Sequence, residues 1–155
     1  MIRRSSRPQT ALADVLANLV VVYGFDNEQK AWKVYRPGAG DNTLSVIEQG
    51  KGYWLFLTTA DTIDMSAWTS GSSQVHLYEG WNLVGYSGTD GASTLTSLSG
   101  VSGWDVAWGW TGGIWKVQVP GAGGADLPIP PLMTLNTVRA YWIKMGAGMS
   151  ADWNQ

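Results

Sequence analysis

The chain lacks cysteine and has a single histidine among its 155 residues. These two shortages exclude a thiol nucleophile, disulfide bonds, structural zinc and multi-histidine metal chemistry within one chain. Charged residues are also scarce, at 14%, and their balance gives a net charge of −2. Nucleic-acid-binding domains usually carry a dense positive field, which this composition does not supply. We therefore expect no metal, no cofactor and no nucleic-acid partner.

Long apolar runs are missing as well. No stretch of about 18 apolar residues occurs, so we expect no membrane insertion. The basic start of the chain, with Arg3, Arg4 and Arg7, leads into an apolar stretch that Asp14 and Asn18 interrupt. No clear cleavage site follows it. We therefore expect a polar N-terminus leading into a helix, not a clear signal peptide.

Tryptophan is abundant, with ten residues, and it recurs in a repeated pattern. Residues 31–40 and 114–123 share the sequence W-K-V-x-x-P-G-A-G. Three further pairs of segments match in the same order along the chain. These pairs are 21–25 with 106–110, 52–55 with 140–143, and 65–68 with 149–153. Such a pattern predicts a tandem duplication.

The duplication predicts a first module at 8–70 and a second module at 75–155. The second opens with an apolar strand over 75–86, whereas the first has a short basic segment in its place. The first module therefore lacks its first strand. The fold class that we predict is α+β and β-dominated, with two pseudo-symmetric small sheet modules that each carry one short helix.

Local patterns place the elements of each module. Thr10 can cap a helix in which Leu12, Val15, Leu16 and Leu19 recur at helical spacing. Polar or glycine-rich turns then predict two hairpins. One joins strands over 20–25 and 31–35, and the other turns at Thr111-Gly112-Gly113. The last strands are predicted over 53–57 and 141–145.

A proline-rich segment, residues 127–132, is peculiar to the second module. Proline cannot donate to a strand ladder, so we expect an extended surface loop. An interaction ledge is the alternative interpretation.

The segments Gly80-Trp81-Asn82-Leu83 and Gly50-Lys51-Gly52-Tyr53-Trp54-Leu55 resemble a known pattern. This pattern belongs to the tandem G-W-N-L … G-K-G-Y-W-I modules, which occur in bacterial and archaeal extracellular and cell-surface proteins. The resemblance implies an extracellular or cell-surface location and an accessory role without assigned catalytic residues. The second module departs from the pattern, because it has Val138-Arg139-Ala140 before Tyr141.

Residues for catalysis are sparse. His76 lies between Val75 and Leu77 in a predicted strand, and no G-x-S-x-G nucleophile motif occurs. The chain has only three glutamates, and neither Glu28 nor Glu48 has a counterpart in the second module. A paired-carboxylate hydrolase needs two such acids across a cleft. We therefore expect no catalytic residues and no enzyme.

The tryptophans carry the functional hypothesis. Matched positions in a duplication favour shared packing, so we assign Trp32, Trp54, Trp115 and Trp142 to the core. Trp81 and Leu83 share one strand face, expected inward, and Asn82 lies on the other.

Three further tryptophans, Trp104, Trp108 and Trp110, are the candidate binding residues, and Trp108 and Trp110 share a strand face. They fit an inter-module core, a protein interface or a platform for sugar rings. Asn82, Gln118 and Asp105 are the polar groups that a glycan would use.

Two functions follow from these patterns. The first is a non-catalytic accessory domain for binding or assembly, by self-association or by contact with neighbouring domains of a longer chain. Its prediction is that the open edge of the first module is covered by a second chain or by the strand over 75–86. The alternative is a carbohydrate-binding module, which requires at least two coplanar, exposed tryptophan rings.

Overall fold

A computed structural model describes residues 5–69, 73–122 and 129–155. Arg3, Arg4, Leu127 and Pro128, named above, lie outside these ranges. As the sequence predicts, the described fold is dominated by short antiparallel strands. The strands are β1 (Ser5–Ser6), β2 (Leu19–Asp26), β3 (Ala31–Tyr35), β4 (Ile47–Glu48), β5 (Tyr53–Leu57), β6 (Gln74–Leu77), β7 (Gly80–Gly85), β8 (Ala92–Ser93), β9 (Trp104–Thr111), β10 (Ile114–Gln118), β11 (Thr134–Leu135), β12 (Ala140–Met145) and β13 (Ala151–Asn154).

Helical segments are brief. They are α1 (Pro8–Ala11), a 3₁₀ turn at Ala13–Val15, α2 (Ser66–Thr69) and α3 (Thr94–Ser97). Within the described ranges, no helix combines the length and the apolar content needed to cross a bilayer.

Two main sheets organise the molecule. The three-stranded sheet has the order β3-β2-β5, and the four-stranded sheet has the order β10-β9-β12-β7. Both predicted hairpins are confirmed, since β2 pairs with β3 and β9 pairs with β10 in antiparallel register. Three two-stranded pairs complete the fold: β1 with β4, β8 with β11, and β6 with β13.

The inner face of the four-stranded sheet builds the larger core. Along β12, Tyr141, Ile143 and Met145 alternate inward and are buried. Trp153 of β13 packs in the same core, where its indole Nε1 donates a hydrogen bond to the carbonyl of Ser97 at 2.9 Å. The strand alternation therefore leaves Trp142 and Lys144 on the opposite face.

A tyrosine hydroxyl anchors a turn beside each main sheet. The Tyr53 hydroxyl accepts a hydrogen bond from the N–H of Glu48 at 2.9 Å, and the Tyr141 hydroxyl accepts one from the N–H of Asn136 at 2.8 Å. Burial raises the pKa of both phenols above the ordinary value.

The helix predicted from Thr10 onward is shorter and begins earlier. Pro8 occupies the start of α1, a position that proline favours, so Thr10 lies inside the helix and does not cap it. The segment then tightens into the 3₁₀ turn, and β2 begins at Leu19. Leu12 and Val15 still reach the core beneath the three-stranded sheet, as their spacing predicts.

The strand predicted over 75–86 is divided into β6 and β7, which pair with different strands. We call residues 74–86 the arm. The bend is fixed by Asn82, whose amide donates to the carbonyls of Tyr78 and Gly80 and accepts from the N–H of Tyr78. The arm therefore covers β12 with one half and β13 with the other.

Candidate functional site: an open strand edge and an aromatic cleft

Loop backbone covers the outer edges of both hairpins. At β10, the N–H of Val117 donates to the carbonyl of Pro130 at 3.1 Å, and its carbonyl accepts from the N–H of Leu132 at 2.7 Å. We expected the proline-rich segment to be a surface loop, but its described part pairs with the edge of β10, and Leu132 is buried in the larger core. At β3, the carbonyl of Val34 accepts from the N–H groups of Thr43 and Leu44 at 2.9 Å.

The outer edge of β7 is held by the β2–β3 turn. The side-chain amide of Asn27 pairs with Leu83 in the manner of a neighbouring strand, since its nitrogen donates to the Leu83 carbonyl and its oxygen accepts from the Leu83 N–H. Lys30 donates to the carbonyl of Trp81 at 2.9 Å. Partial burial lowers the pKa of Lys30. These contacts join the arm to the three-stranded sheet.

Backbone contacts at 50–52 extend this junction. The N–H of Gly52 donates to the carbonyl of Leu83 at 3.3 Å, and the N–H of Gly85 donates to the carbonyl of Gly50 at 3.1 Å. The arm therefore reaches the residues before β5 but does not continue along it, so the strand over 75–86 does not cover the edge of β5 as one of the two predictions had it.

The outer edge of β5 has no strand neighbour in the described ranges, whereas β12 lies between β9 and β7. The consequence is visible on the inner face of β5. Tyr53, Leu55 and Leu57 are only partly buried. The residues at the matched positions of β12 are buried, because Val75, Leu77, Val84 and Tyr86 of the arm pack in their core.

A groove of about 200 Å³ runs beside this edge. Its apolar wall includes Leu55, Ile63 and Trp68. Val138 and Ala140 lie on the opposite wall. Trp68 is partly buried, whereas Trp153, at the matched position, is 1% exposed and stacks on Tyr86 at 5.7 Å. The groove thus lies beside β5 and Trp68, whereas beside β12 and Trp153 the arm is packed.

The second candidate site is an open cleft between the outward faces of the two main sheets. Its volume is about 470 Å³, and aromatic rings line it. The lining residues are Phe25, Trp81, Trp108, Trp115 and Trp142. Clefts of this size and apolar character are typical of small-ligand sites.

Tryptophans of the two sheets meet at this cleft. Trp32 lies 5.7 Å from Trp142, and Trp54 lies 5.9 Å from Trp115, measured between ring centroids. We expected these four residues in the core, but Trp32 and Trp115 are exposed. These four tryptophans contact each other between the two sheets and do not pack inside the core of either sheet.

The rings around the cleft are not arranged as a flat platform. The tryptophan pairs that meet there have interplanar angles of 63° to 88°. Such edge-to-face contacts are favourable between aromatic rings. They do not supply the coplanar pair that sugar stacking was expected to require.

The candidate binding residues are divided between surface and interior. Trp110 is 42% exposed and Trp108 is half-buried at the cleft. Trp104 is 8% exposed and belongs to the larger core. Trp81 lies at the cleft, partly exposed, although its face was expected to point inward.

The polar candidates are used internally. Asn82 is 0% exposed, and it also donates to the carbonyl of Ile143. Gln118 is buried and donates to the carbonyls of Val119 and Ala122. Asp105 is exposed, and its carboxylate lies 3.4 Å from the Lys144 ammonium. A ligand in the cleft would therefore not meet Asn82 or Gln118.

Sequence reasoning missed Phe25, Trp81, Trp115 and Trp142 as cleft residues. The signal was the alternation along 140–145, which places Trp142 on the same face as Lys144 and opposite Tyr141. That the first module lacks its first strand stays a prediction, and the sequence did not identify β5 as the open edge.

The described residues show few groups suited to chemistry. His76 lies on the surface, and its Nδ1 is 2.7 Å from a carboxylate oxygen of Asp152. No group of three or more histidine, aspartate or glutamate side chains that could hold a metal ion occurs within the described ranges.

In comparisons with known proteins, no family model, curated protein or solved structure matches this chain.

Proposed function

We propose that the chain is a non-catalytic binding and assembly module, located outside the cell or on its surface, that accepts a strand from a partner chain along β5. The observation that carries this proposal is the contrast between β5 and β12. The same three inner-face positions are buried where the arm covers β12 and only partly buried at β5, beside which no strand lies in the described ranges. An unpaired strand above an apolar groove is suited to strand addition.

The proposal includes a duplicated origin for the two sheets. Ring geometries within each sheet support it. Phe25 and Trp32 lie 5.2 Å apart at 68°, and Trp110 and Trp115, at the matched positions, lie 5.2 Å apart at 67°. The turns anchored by Tyr53 and Tyr141 also correspond. Under this proposal, the covered edge of β12 is the template for what docks on β5.

A selection experiment tests strand docking. Twelve-residue peptides selected against the chain from a random library should alternate apolar and polar residues. They should also shift the amide NMR signals of 53–57. Ile63→Asp, which places a charge in the groove, should abolish binding, whereas Met133→Asp, at an exposed site outside it, should not. Peptides that bind without shifting 53–57 would contradict the proposal.

The aromatic cleft leaves a second candidate function, carbohydrate binding through single rings, since the coplanar tryptophan pair that we expected is not found among the rings that meet there. The observation in its favour is the set of five aromatic side chains around one open cavity. A panel of soluble glycans should then include one that shifts the tryptophan fluorescence of the wild type but not of Trp81→Ala. Trp68→Ala, outside the cleft, is the control. No response to any glycan would eliminate this candidate.

A further inference from the structure

Glycines precede β5, but not β12. Gly50 and Gly52 stand before Tyr53, and the matched positions before Tyr141 are Val138 and Ala140. In the sequence, this difference is a departure of the second module from the G-K-G-Y-W-I pattern. The packing around the arm gives it a physical meaning.

The arm requires both glycines. A Cβ atom added at Gly52 would lie 2.7 Å from Cγ of Leu83, and one added at Gly50 would lie 2.9 Å from a methyl carbon of Val75. Real Cβ atoms essentially never approach other atoms so closely. Where an arm is seated, side chains at these two positions are therefore excluded.

The other pair of positions carries side chains because no arm covers them. Val138 is 62% exposed and retains a left-handed backbone, with φ of 58°, which strongly disfavours a β-branched residue. Ala140 borders the same groove. An arm docked on β5 as β7 docks on β12 would place its own Val75 and Leu83 against these two side chains.

We infer that the groove beside β5 rejects the chain's own arm and accepts a partner strand with small residues at the two positions that face Val138 and Ala140. This inference rests on the proposed strand docking and adds its specificity. The occupant is a segment of a different chain, with glycine, alanine or serine where the arm has Val75 and Leu83. A clash at a docking site acts against the wrong partner as effectively as new contacts favour the right one.

Two peptides test the inference. One has the native sequence of residues 74–86, and the other carries Val75→Ala and Leu83→Ala. Both are titrated into the full chain while the amide signals of 53–57 are followed by NMR. We expect the native peptide to bind roughly tenfold more weakly, or worse, because overpacking a contact is destabilising. The chain variant Val138→Gly/Ala140→Gly should bind the native peptide as tightly as it binds the peptide with the two alanines.

Ile114→Gly, which removes an exposed branched side chain outside the groove, is the matched control and should leave both affinities unchanged. Equal binding of the two peptides to the wild type would overturn the inference and leave strand docking intact. Binding by the glycine variant alone would show that the natural edge is closed to strands, which overturns the proposed function. Binding by neither chain would also overturn the proposed function.

Discussion

The indole of Trp32 meets the indole of Trp142 edge to face, at 5.7 Å between ring centroids. Trp115 and Trp54 hold the matched positions, and they meet at 5.9 Å. The first pair thus joins the β2–β3 hairpin to β12, and the second joins the β9–β10 hairpin to β5. The proposed duplication would produce such reciprocal contacts, because in a twofold arrangement residue i meets residue j while j meets i.

A double-mutant cycle measures the first of these contacts. Trp32→Ala and Trp142→Ala should each destabilise the chain, and the pair should show a coupling energy of about 0.5–1.5 kcal/mol in urea unfolding. Trp32→Ala combined with Trp153→Ala, in the larger core, is the additive control. Additive effects of Trp32→Ala and Trp142→Ala on the free energy of unfolding would contradict a stabilising contact between the two sheets.

The buried amide of Asn82 fixes the bend of the arm. Asn82→Ala should lower the free energy of unfolding by about 2–3 kcal/mol, since it leaves backbone groups around Tyr78 without partners. Asn154→Ala, at an exposed position, should change it by less than about 0.5 kcal/mol. Equal effects of the two substitutions would refute this role.

Val138 should be a site where glycine stabilises. Val138→Gly relieves a left-handed backbone conformation that costs a non-glycine residue about 1–2 kcal/mol, partly offset by the greater flexibility of glycine when unfolded. We expect a net gain of about 0.5–1 kcal/mol in thermal or urea unfolding. Val20→Gly, in an ordinary strand conformation, should be destabilising instead.

Gly52 should tolerate no side chain. Gly52→Ala brings its Cβ against both Leu83 and Ala140, so we expect a loss of about 1–3 kcal/mol. Adding Ala140→Gly should recover only part of the loss, because Leu83 stays in place. Gly40→Ala is the control, since a Cβ there meets no atom within 4 Å. Full recovery in the double variant would show that Leu83 is not the obstacle.

Alkaline pH should destabilise the chain through the hydrogen-bonded phenol of Tyr53. The pKa of Tyr53 is raised in the folded state, so its contribution to stability is complete below the unfolded pKa of about 10 and is lost as pH rises above it. Tyr53→Phe should have a lower free energy of unfolding at neutral pH, because the backbone N–H of Glu48 loses its hydrogen-bond acceptor. Its stability should fall less steeply above pH 10. Parallel curves for the two proteins would contradict this account.

The strands were predictable because their sequences alternate and their turns are distinctive. The pair Gly112-Gly113 indicated a hairpin, and the repeat placed β5 and β12 at matched positions. The bend within 75–86 was missed, because it depends on hydrogen bonds from Asn82 that no local pattern reveals. The burial of Asn82 and Gln118 was missed too, because it also depends on hydrogen bonds that no local pattern reveals.

The cleft was harder to predict than the edge. Trp32 and Trp142 lie far apart in sequence and on different sheets, so only the packing of one sheet against the other brings them together. Alternation along a strand identifies the face of a side chain, but not whether another sheet covers that face. The two halves of the sequence, by contrast, can be compared directly, and that comparison is what predicts that the first half lacks a strand.

The backbone bonds that Val117 makes to Pro130 and Leu132 have a consequence for stoichiometry. They hold loop backbone against the free side of β10, as 42–44 and the Asn27 amide are held against those of β3 and β7. Among the described strands of the two main sheets, β5 is then the edge without a bonded neighbour on its outer side. A strand seated on β5 would fill that edge, which favours a 1:1 complex over a chain of strand additions through the main sheets.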